Sequence, residues 1–278
     1  MEMSLLFYII LVLSLAFNIL WFLSASFRFR VRMTGYILCI FIAASVGGIL
    51  SIPHGRTPKN HFRIFNIFHV ISFWMHLTFE LRDVKYIDSD KPFILVANHQ
   101  SILDVLGMSY VWPENCVVLL KSSLKFAPGF NLCTFLCNSI FINRFSKSKA
   151  HQAVDNVIEA IERDKATNKI LLQFRKIWIY PEGTRNAGEK LLPFKKGAFI
   201  IAKRANIPIV CVVFSSHRNF YDLKERRFDY GGHVIVQALP PIDSTKFDTV
   251  DDLLSKCQSE MQQTFHRLNK ELGNEFAE

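Results

Sequence analysis

Residues 3–26, MSLLFYIILVLSLAFNILWFLSAS, carry no charged side chain. At about 1.5 Å per helical residue they can cross a hydrocarbon core of about 30 Å, so the run predicts a membrane helix. A cleaved signal peptide is the competing reading, but Glu2 is the only charge ahead of the run and no basic segment precedes it. A second apolar run, Tyr36 to Ile52, contains Gly47 and Gly48 and follows a predicted loop holding Arg28, Arg30 and Arg32. Two arrangements stand. In a two-span hairpin the arginine loop and the basic chain beyond it lie on opposite faces, against the tendency of Lys and Arg to stay cytosolic. If the second run only dips into the bilayer, both share the cytosolic face. On either reading residues 1–55 form membrane-anchoring helices and residues 56–278 a separate domain.

From about residue 90 the pattern changes to short β-rich runs: FILVA (93–97), CVVLL (116–120), SIFIN (139–143), KIWIY (176–180), PIVCVVF (208–214) and HVIVQAL (233–239). Between them Val154, Val157, Ile158 and Ile161 fall on one helical face, and Val250, Leu253, Leu254, Cys257 and Met261 repeat that spacing. Strands without alternating polar residues are buried on both faces. The predicted fold is therefore α/β, a mostly parallel sheet flanked by helices and preceded by the N-terminal membrane helices. Residues 122–138, with Pro128, Gly129, Lys125, Phe126 and Phe135, read either as an amphipathic segment on the membrane surface or as part of the core.

Charge narrows the choice of partners. Lys and Arg outnumber Asp and Glu by 33 to 24, a formal charge of +9 that favours polyanions or an anionic bilayer. The basic residues are scattered and no zinc finger, RNA-binding signature or basic zipper organises them, so nucleic acid is not expected. The six cysteines form no metal-binding spacing and sit in apolar runs, where they read as small buried hydrophobes; no metal site is expected.

Two strands end in polar clusters, and in open α/β sheets ligands sit at the carboxyl ends of strands. ILVANHQSILD (94–104) places His99 just before a helix that Ser101 and Asp104 would start as a capping box and that should run to about Trp112. Capping accounts for Ser101 and Asp104 without chemistry. The same geometry lets the Asp104 carboxylate accept a proton from one His99 nitrogen, leaving the other as an oriented general base. Ser101 as an acyl-enzyme nucleophile is a further option, although no G-x-S-x-G elbow surrounds it. The strand KIWIY runs into YPEGTR (180–185), where Gly183 permits a tight turn and Arg185 offers a planar fork to phosphate oxygens; a turn with a surface salt bridge is the plainer reading. Arg144 ends the SIFIN strand, and Lys195 and Lys196 precede another helix. KERR (224–227) is either a solvated loop or a contact for phosphates.

NHQSILD, IFINR, YPEGTR and IPIVCV resemble, in sequence and order, the four motifs of the glycerolipid acyltransferase family, most closely its 1-acylglycerol-3-phosphate O-acyltransferase (lysophosphatidic acid acyltransferase) branch. The resemblance covers about residues 55–270. It implies transfer of an acyl group from acyl-CoA, as co-substrate and with no other cofactor, to the free sn-2 hydroxyl of lysophosphatidate, giving phosphatidate without an acyl-enzyme. On the matched positions it implies His99 as base, Asp104 as its orienting partner, and Arg144, Glu182, Gly183, Thr184 and Arg185 as the acceptor site, with both arginines on the phosphate. It further implies an endoplasmic reticulum membrane protein whose catalytic domain faces the cytosol. Asn138 and Asn143 stand where the family's second motif usually has Gly and Asp, and Cys211 replaces a common proline of the fourth. The remaining alternatives are another lysophospholipid or glycerol 3-phosphate as acceptor, an acyl-CoA hydrolase, and a membrane-surface scaffold without catalysis.

Overall fold

The computed structural model describes residues 2–127, 129–142, 154–155, 158–159 and 176–273. Helix α1 (Glu2–Leu23) and helix α2 (Ala25–Ser51) are separated only by Ser24, whose hydroxyl accepts from Phe27 N–H and starts the second helix. The chain bends sharply there, because Phe17 and Trp21 of α1 meet Phe27 and Arg32 of α2 across 5.4 Å each. Arg28 donates to the carbonyls of Trp21 and Phe22 and so closes the end of α1. The expected arginine loop does not exist: Arg28, Arg30 and Arg32 lie within α2, consistent with the high helix propensity of arginine. Both helices are long and apolar enough to cross a membrane, by length and composition.

The two helices differ in what covers them. The apolar window of α1 is not buried at all, whereas Phe29, Tyr36, Cys39, Ala43 and Ala44 of α2 belong to the protein core. Gly47 and Gly48 make this packing possible. A Cβ on Gly47 would come within 2.7 Å of Ile64 in helix α3 (Asn60–Ser72), and Gly48 lies against the Cys133 backbone of helix α5 (Phe130–Leu136). Helix α4 (Asp104–Tyr110) completes this layer. Within residues 122–138, α5 thus packs on α2 while Phe126 and Phe135 face outward.

Seven strands form one sheet in the order β1 (Thr78–Arg82), β9 (His233–Ala238), β6 (Ile209–Phe214), β2 (Phe93–Ala97), β5 (Lys176–Ile179), β3 (Cys116–Lys121) and β4 (Ile140–Ile142). All neighbours are parallel except β6 and β9, so β1 and β9 run against the other five. A short hairpin, β7 (Tyr221–Asp222) and β8 (Arg227–Phe228), stands apart from the sheet. Both faces are covered, as the uniformly apolar strands require. Along β2, Phe93, Leu95 and Ala97 face the layer of α2 to α4, while Ile94 and Val96 face helices α6 (Gly197–Ala205) and α7 (Val250–Glu271). Helix α7 starts with a capping box of Thr249 and Asp252 and buries Leu253, Cys257, Met261, Phe265 and Leu268. Val154 and Ile158 are helical and lean on the same core; Val157, Ile161, Asn143 and Arg144 lie outside the described residues. All six cysteines are buried and free.

Candidate active site

Three neighbouring parallel strands, β5, β2 and β6, end side by side, and each carboxyl end supplies part of one cluster. From β2 comes His99, whose Nδ1 lies 2.6 Å from Asp104 Oδ2. A carboxylate oxygen only accepts, so Nδ1 carries a proton, and in the neutral ring the lone pair lies on Nε2. The His99 ring stacks on Tyr180 at 4.1 Å and its side chain is 16% exposed, whereas Asp104 is fully buried. Burial, and secondarily Asp104, pushes the Tyr180 hydroxyl well above its ordinary pKa, which keeps the stacking ring neutral.

Asp104 Oδ2 also accepts from the backbone N–H groups of Gln100 at 2.6 Å and Ser101 at 3.0 Å. The expected capping box is therefore only half present. Ser101 Oγ accepts from Leu103 N–H, two residues on, rather than from Asp104, and the helix starts at Asp104 and ends at Tyr110. Ser101 Oγ also lies 3.1 Å from His217 Nδ1, which approaches Asp104 Oδ1 at 3.6 Å, beyond hydrogen-bond reach. Burial lowers the pKa of His217. These partners leave Ser101 fully engaged in structure.

The β5 end supplies Tyr180 to Arg185. Glu182 is 3% exposed, with Oε1 accepting from His99 N–H at 2.8 Å and Oε2 accepting from Leu192 N–H at 2.9 Å. Burial raises its pKa, an effect that these two N–H groups only partly offset. Glu182 thus sits beneath His99 as a strut, and Asn186 N–H adds a bond of 2.7 Å to the His99 carbonyl. Gly183 has φ +73°, a left-handed turn, and any side chain there would strike Lys195 Cε and Nζ at 2.7 Å. Thr184 and Arg185 are exposed beyond it, and Arg185 is close enough to lower the Tyr221 hydroxyl pKa that burial raises. Arg185 and Lys195 thus lie at the Gly183 turn, on the strand neighbouring the one that carries His99; Arg144 lies outside the described residues. Lys196 is instead paired with Asp251 at 2.8 Å. The KERR stretch forms the exposed β7–β8 turn, with Arg227 donating to the Arg218 and Asn219 carbonyls.

Sequence reasoning did not find several supports. Asn98 exchanges both its amide groups with the Phe214 backbone at 2.9 and 3.0 Å, locking β2 to β6. Gln100 donates to the Ser215 carbonyl at 2.8 Å and accepts from His217 N–H at 3.2 Å. Tyr36 of α2 donates to the Ile102 carbonyl at 2.9 Å. The position of SSH (215–217) at the end of a parallel strand was the one signal that could have flagged His217. The backbone donors at this strand end are also spent: His99, Gln100 and Ser101 N–H all bind the two carboxylates, so none of them can serve as an oxyanion donor.

A half-buried histidine bonded to a buried aspartate at the carboxyl end of an α/β sheet, with an arginine on the neighbouring strand's turn, is an arrangement compatible with hydrolase- or transferase-type chemistry. Residues 78–215 match the Acyltransferase family model. The chain is 51% identical over 246 residues to acl-1 of Caenorhabditis elegans, named for 1-acyl-sn-glycerol-3-phosphate acyltransferase activity, covering 88% of this chain and 90% of that one. It is 36% identical over 252 residues to human 1-acyl-sn-glycerol-3-phosphate acyltransferase beta, covering 89% and 87% of the two chains. The crystal structure of the lysophosphatidate acyltransferase PlsC from Thermotoga maritima superposes with a TM-score of 0.68 at 20% identity, over 92% of this chain and 100% of that one, and shows a shared fold. The chain belongs to the 1-acyl-sn-glycerol-3-phosphate acyltransferase family and is an enzyme of that class.

Proposed function

We propose that this enzyme transfers a fatty acyl group from acyl-CoA to the sn-2 hydroxyl of lysophosphatidate. The observation that carries this reading is the 2.6 Å bond from His99 Nδ1–H to Asp104, which leaves Nε2 as a base, with Arg185 in electrostatic reach of the Tyr180 ring that stacks on His99. An alcohol is a weak nucleophile at neutral pH, and general-base help contributes about 10²- to 10⁴-fold. Nε2 takes the hydroxyl proton as the oxygen attacks the thioester carbonyl. The tetrahedral centre collapses with cleavage of the C–S bond, and the imidazolium returns its proton to the departing thiolate. The thioester is already activated, so the step requires no further cofactor. Asp104 faces the imidazolium that forms, Glu182 holds the His99 backbone, and the fork of Arg185, with Arg144 and the Gly183–Thr184 turn, receives the acceptor phosphate.

Both proposed substrates are amphiphiles with anionic heads, which gather at a bilayer surface. Both ends of α2 pack on the domain, Arg32 donating to the Phe228 carbonyl and Gly48 lying on Cys133, which supports a helix that stays on the catalytic face rather than leaving through the bilayer. Such a pair of helices suits a cytosolic domain held on the endoplasmic reticulum, with α1 in lipid. The test uses membranes carrying wild type or His99→Ala, labelled oleoyl-CoA, and lysophosphatidate, other lysophospholipids or glycerol 3-phosphate as acceptors. Labelled phosphatidate from lysophosphatidate, lost in the variant, is expected. Product from a different acceptor moves the substrate, free fatty acid as the main product indicates hydrolysis, and full activity in His99→Ala removes the assigned base.

A further inference from the structure

Among the described residues the buried Arg32 cation has no carboxylate partner. It is 9% exposed, its Nε has no hydrogen-bond partner among them, and its Nη1 donates to the neutral Phe228 carbonyl. Its guanidinium lies 3.9 Å from the Tyr230 ring and 5.4 Å from that of Trp21. Desolvating a guanidinium costs several kcal/mol unless an anion meets it, and aromatic faces replace only part of the lost hydration. Arg32 also lines a cavity of about 400 Å³ between α1, α2 and the domain, walled by Phe17, Trp21, Gly35, Trp74 and Tyr230. The cavity is apolar apart from this cation and Asn18, and it opens beside α1, whose other apolar side chains are largely exposed. An occupant must therefore present a small anion to Arg32 and hydrocarbon to the aromatic walls, and must arrive from the lipid side.

We propose that this cavity binds the phosphomonoester head of an acylated glycerol phosphate, at a site separate from the catalytic mouth. Arg32 precedes Tyr36 by one turn of α2, about 6 Å along the axis, and Tyr36 holds the Ile102 carbonyl of the loop that carries His99. Occupancy of the cavity would thus order the segment that supports the base. Two sources share this chemistry: a lysophosphatidate waiting to enter the mouth, and phosphatidate resident in the bilayer. Binding here needs no acyl transfer, so it stands or falls apart from the reading of the catalytic site.

The experiment uses the full chain carrying His99→Ala, in uncharged detergent, and follows the fluorescence of Trp21 and Trp74 on titration with hexanoyl lysophosphatidate, dihexanoyl phosphatidate, dihexanoyl phosphatidylcholine and inorganic phosphate. Saturable binding of the phosphomonoester lipids is expected. It should weaken about ten-fold or more in Arg32→Gln, as loss of a charge-assisted contact requires, and persist in Arg185→Ala. Saturation by both lipids assigns the site to either source, and saturation by lysophosphatidate alone assigns it to the waiting acceptor. Should Arg32→Gln fail to fold, Gly35→Leu fills the cavity while keeping the arginine, since a Cβ there already stands 3.1 Å from Trp74. This variant should lose binding while still giving a cooperative thermal melt that shows it folded. Unaltered binding in folded Arg32→Gln or Gly35→Leu, loss of binding in Arg185→Ala alone, or equal affinity for phosphatidylcholine would overturn the proposal.

Discussion

Replacing Asp104 by Asn separates the charge of that side chain from its geometry. With the amide oxygen at the Oδ2 position, Asn can still accept from His99 Nδ1, Gln100 N–H and Ser101 N–H, so the tautomer and the loop are retained. What disappears, on the proposed mechanism, is the negative charge facing the imidazolium that forms during transfer. At an effective dielectric of about 20, opposite charges 2.6 Å apart attract by about 6 kcal/mol. A neutral hydrogen bond keeps roughly half of the strength of a charged one, so the variant should lose about 3 kcal/mol of transition-state stabilisation. That is about a hundred-fold in kcat, with KM for both substrates little changed because neither touches the buried carboxylate. The assay is phosphatidate formation in detergent micelles over a range of lysophosphatidate concentrations, beside a thermal melt that reports folding. A kcat within about three-fold of wild type in a folded Asp104→Asn protein, less than 1 kcal/mol, would refute the reasoning and reduce the carboxylate to a backbone cap.

Other perturbations test separate parts of the structure. Arg185→Ala should raise KM for the phosphate-bearing acceptor at nearly constant kcat; an effect confined to acyl-CoA would reassign the residue. Burial pushes the pKa of His61 down to about 4 from an ordinary 6.5. The unfolded chain therefore binds a proton that the fold refuses, so stability is complete above about pH 6.5 and declines towards pH 4, by about 3 kcal/mol at the lower end. Melts of wild type and His61→Phe between pH 7.5 and 4.5 should show a shallower acid slope in the variant, and equal slopes would contradict the assignment. Gly107→Ala would place a Cβ 2.7 Å from the Phe214 ring, an overpacking that costs about 1–3 kcal/mol against about 1 kcal/mol of gained helix propensity. Its melting temperature should fall.

The centre of the sheet was legible because burial on both faces leaves β2, β5, β6 and β9 with few polar residues to disguise them. Strand β1 was not, since Thr78, Glu80 and Arg82 alternate with Phe79 and Leu81 at a sheet edge, where one side meets water. The arginines of α2 suggested a break because charge within an apolar run usually marks a boundary. Their partners, the end of α1 and the β7–β8 hairpin, are supplied only by tertiary folding. At the site, His99 and Asp104 were readable because a residue before a helix and one on its first turn meet by local geometry. Asn98, Gln100 and Tyr36 act across more than sixty residues of sequence, and so does the bond from His99 N–H to Glu182, which no local pattern announces.

The uncovered surface of α1 has a consequence for how rates must be measured. If that helix lies in lipid, the enzyme meets its acceptor by lateral diffusion, and the quantity that sets occupancy is the mole fraction of lysophosphatidate in the sheet of amphiphiles, rather than its amount per volume of water. Diluting a fixed quantity of acceptor with inert detergent should then slow the reaction although the bulk concentration is unchanged. Adding micelles at constant composition should leave the rate per enzyme molecule as it was.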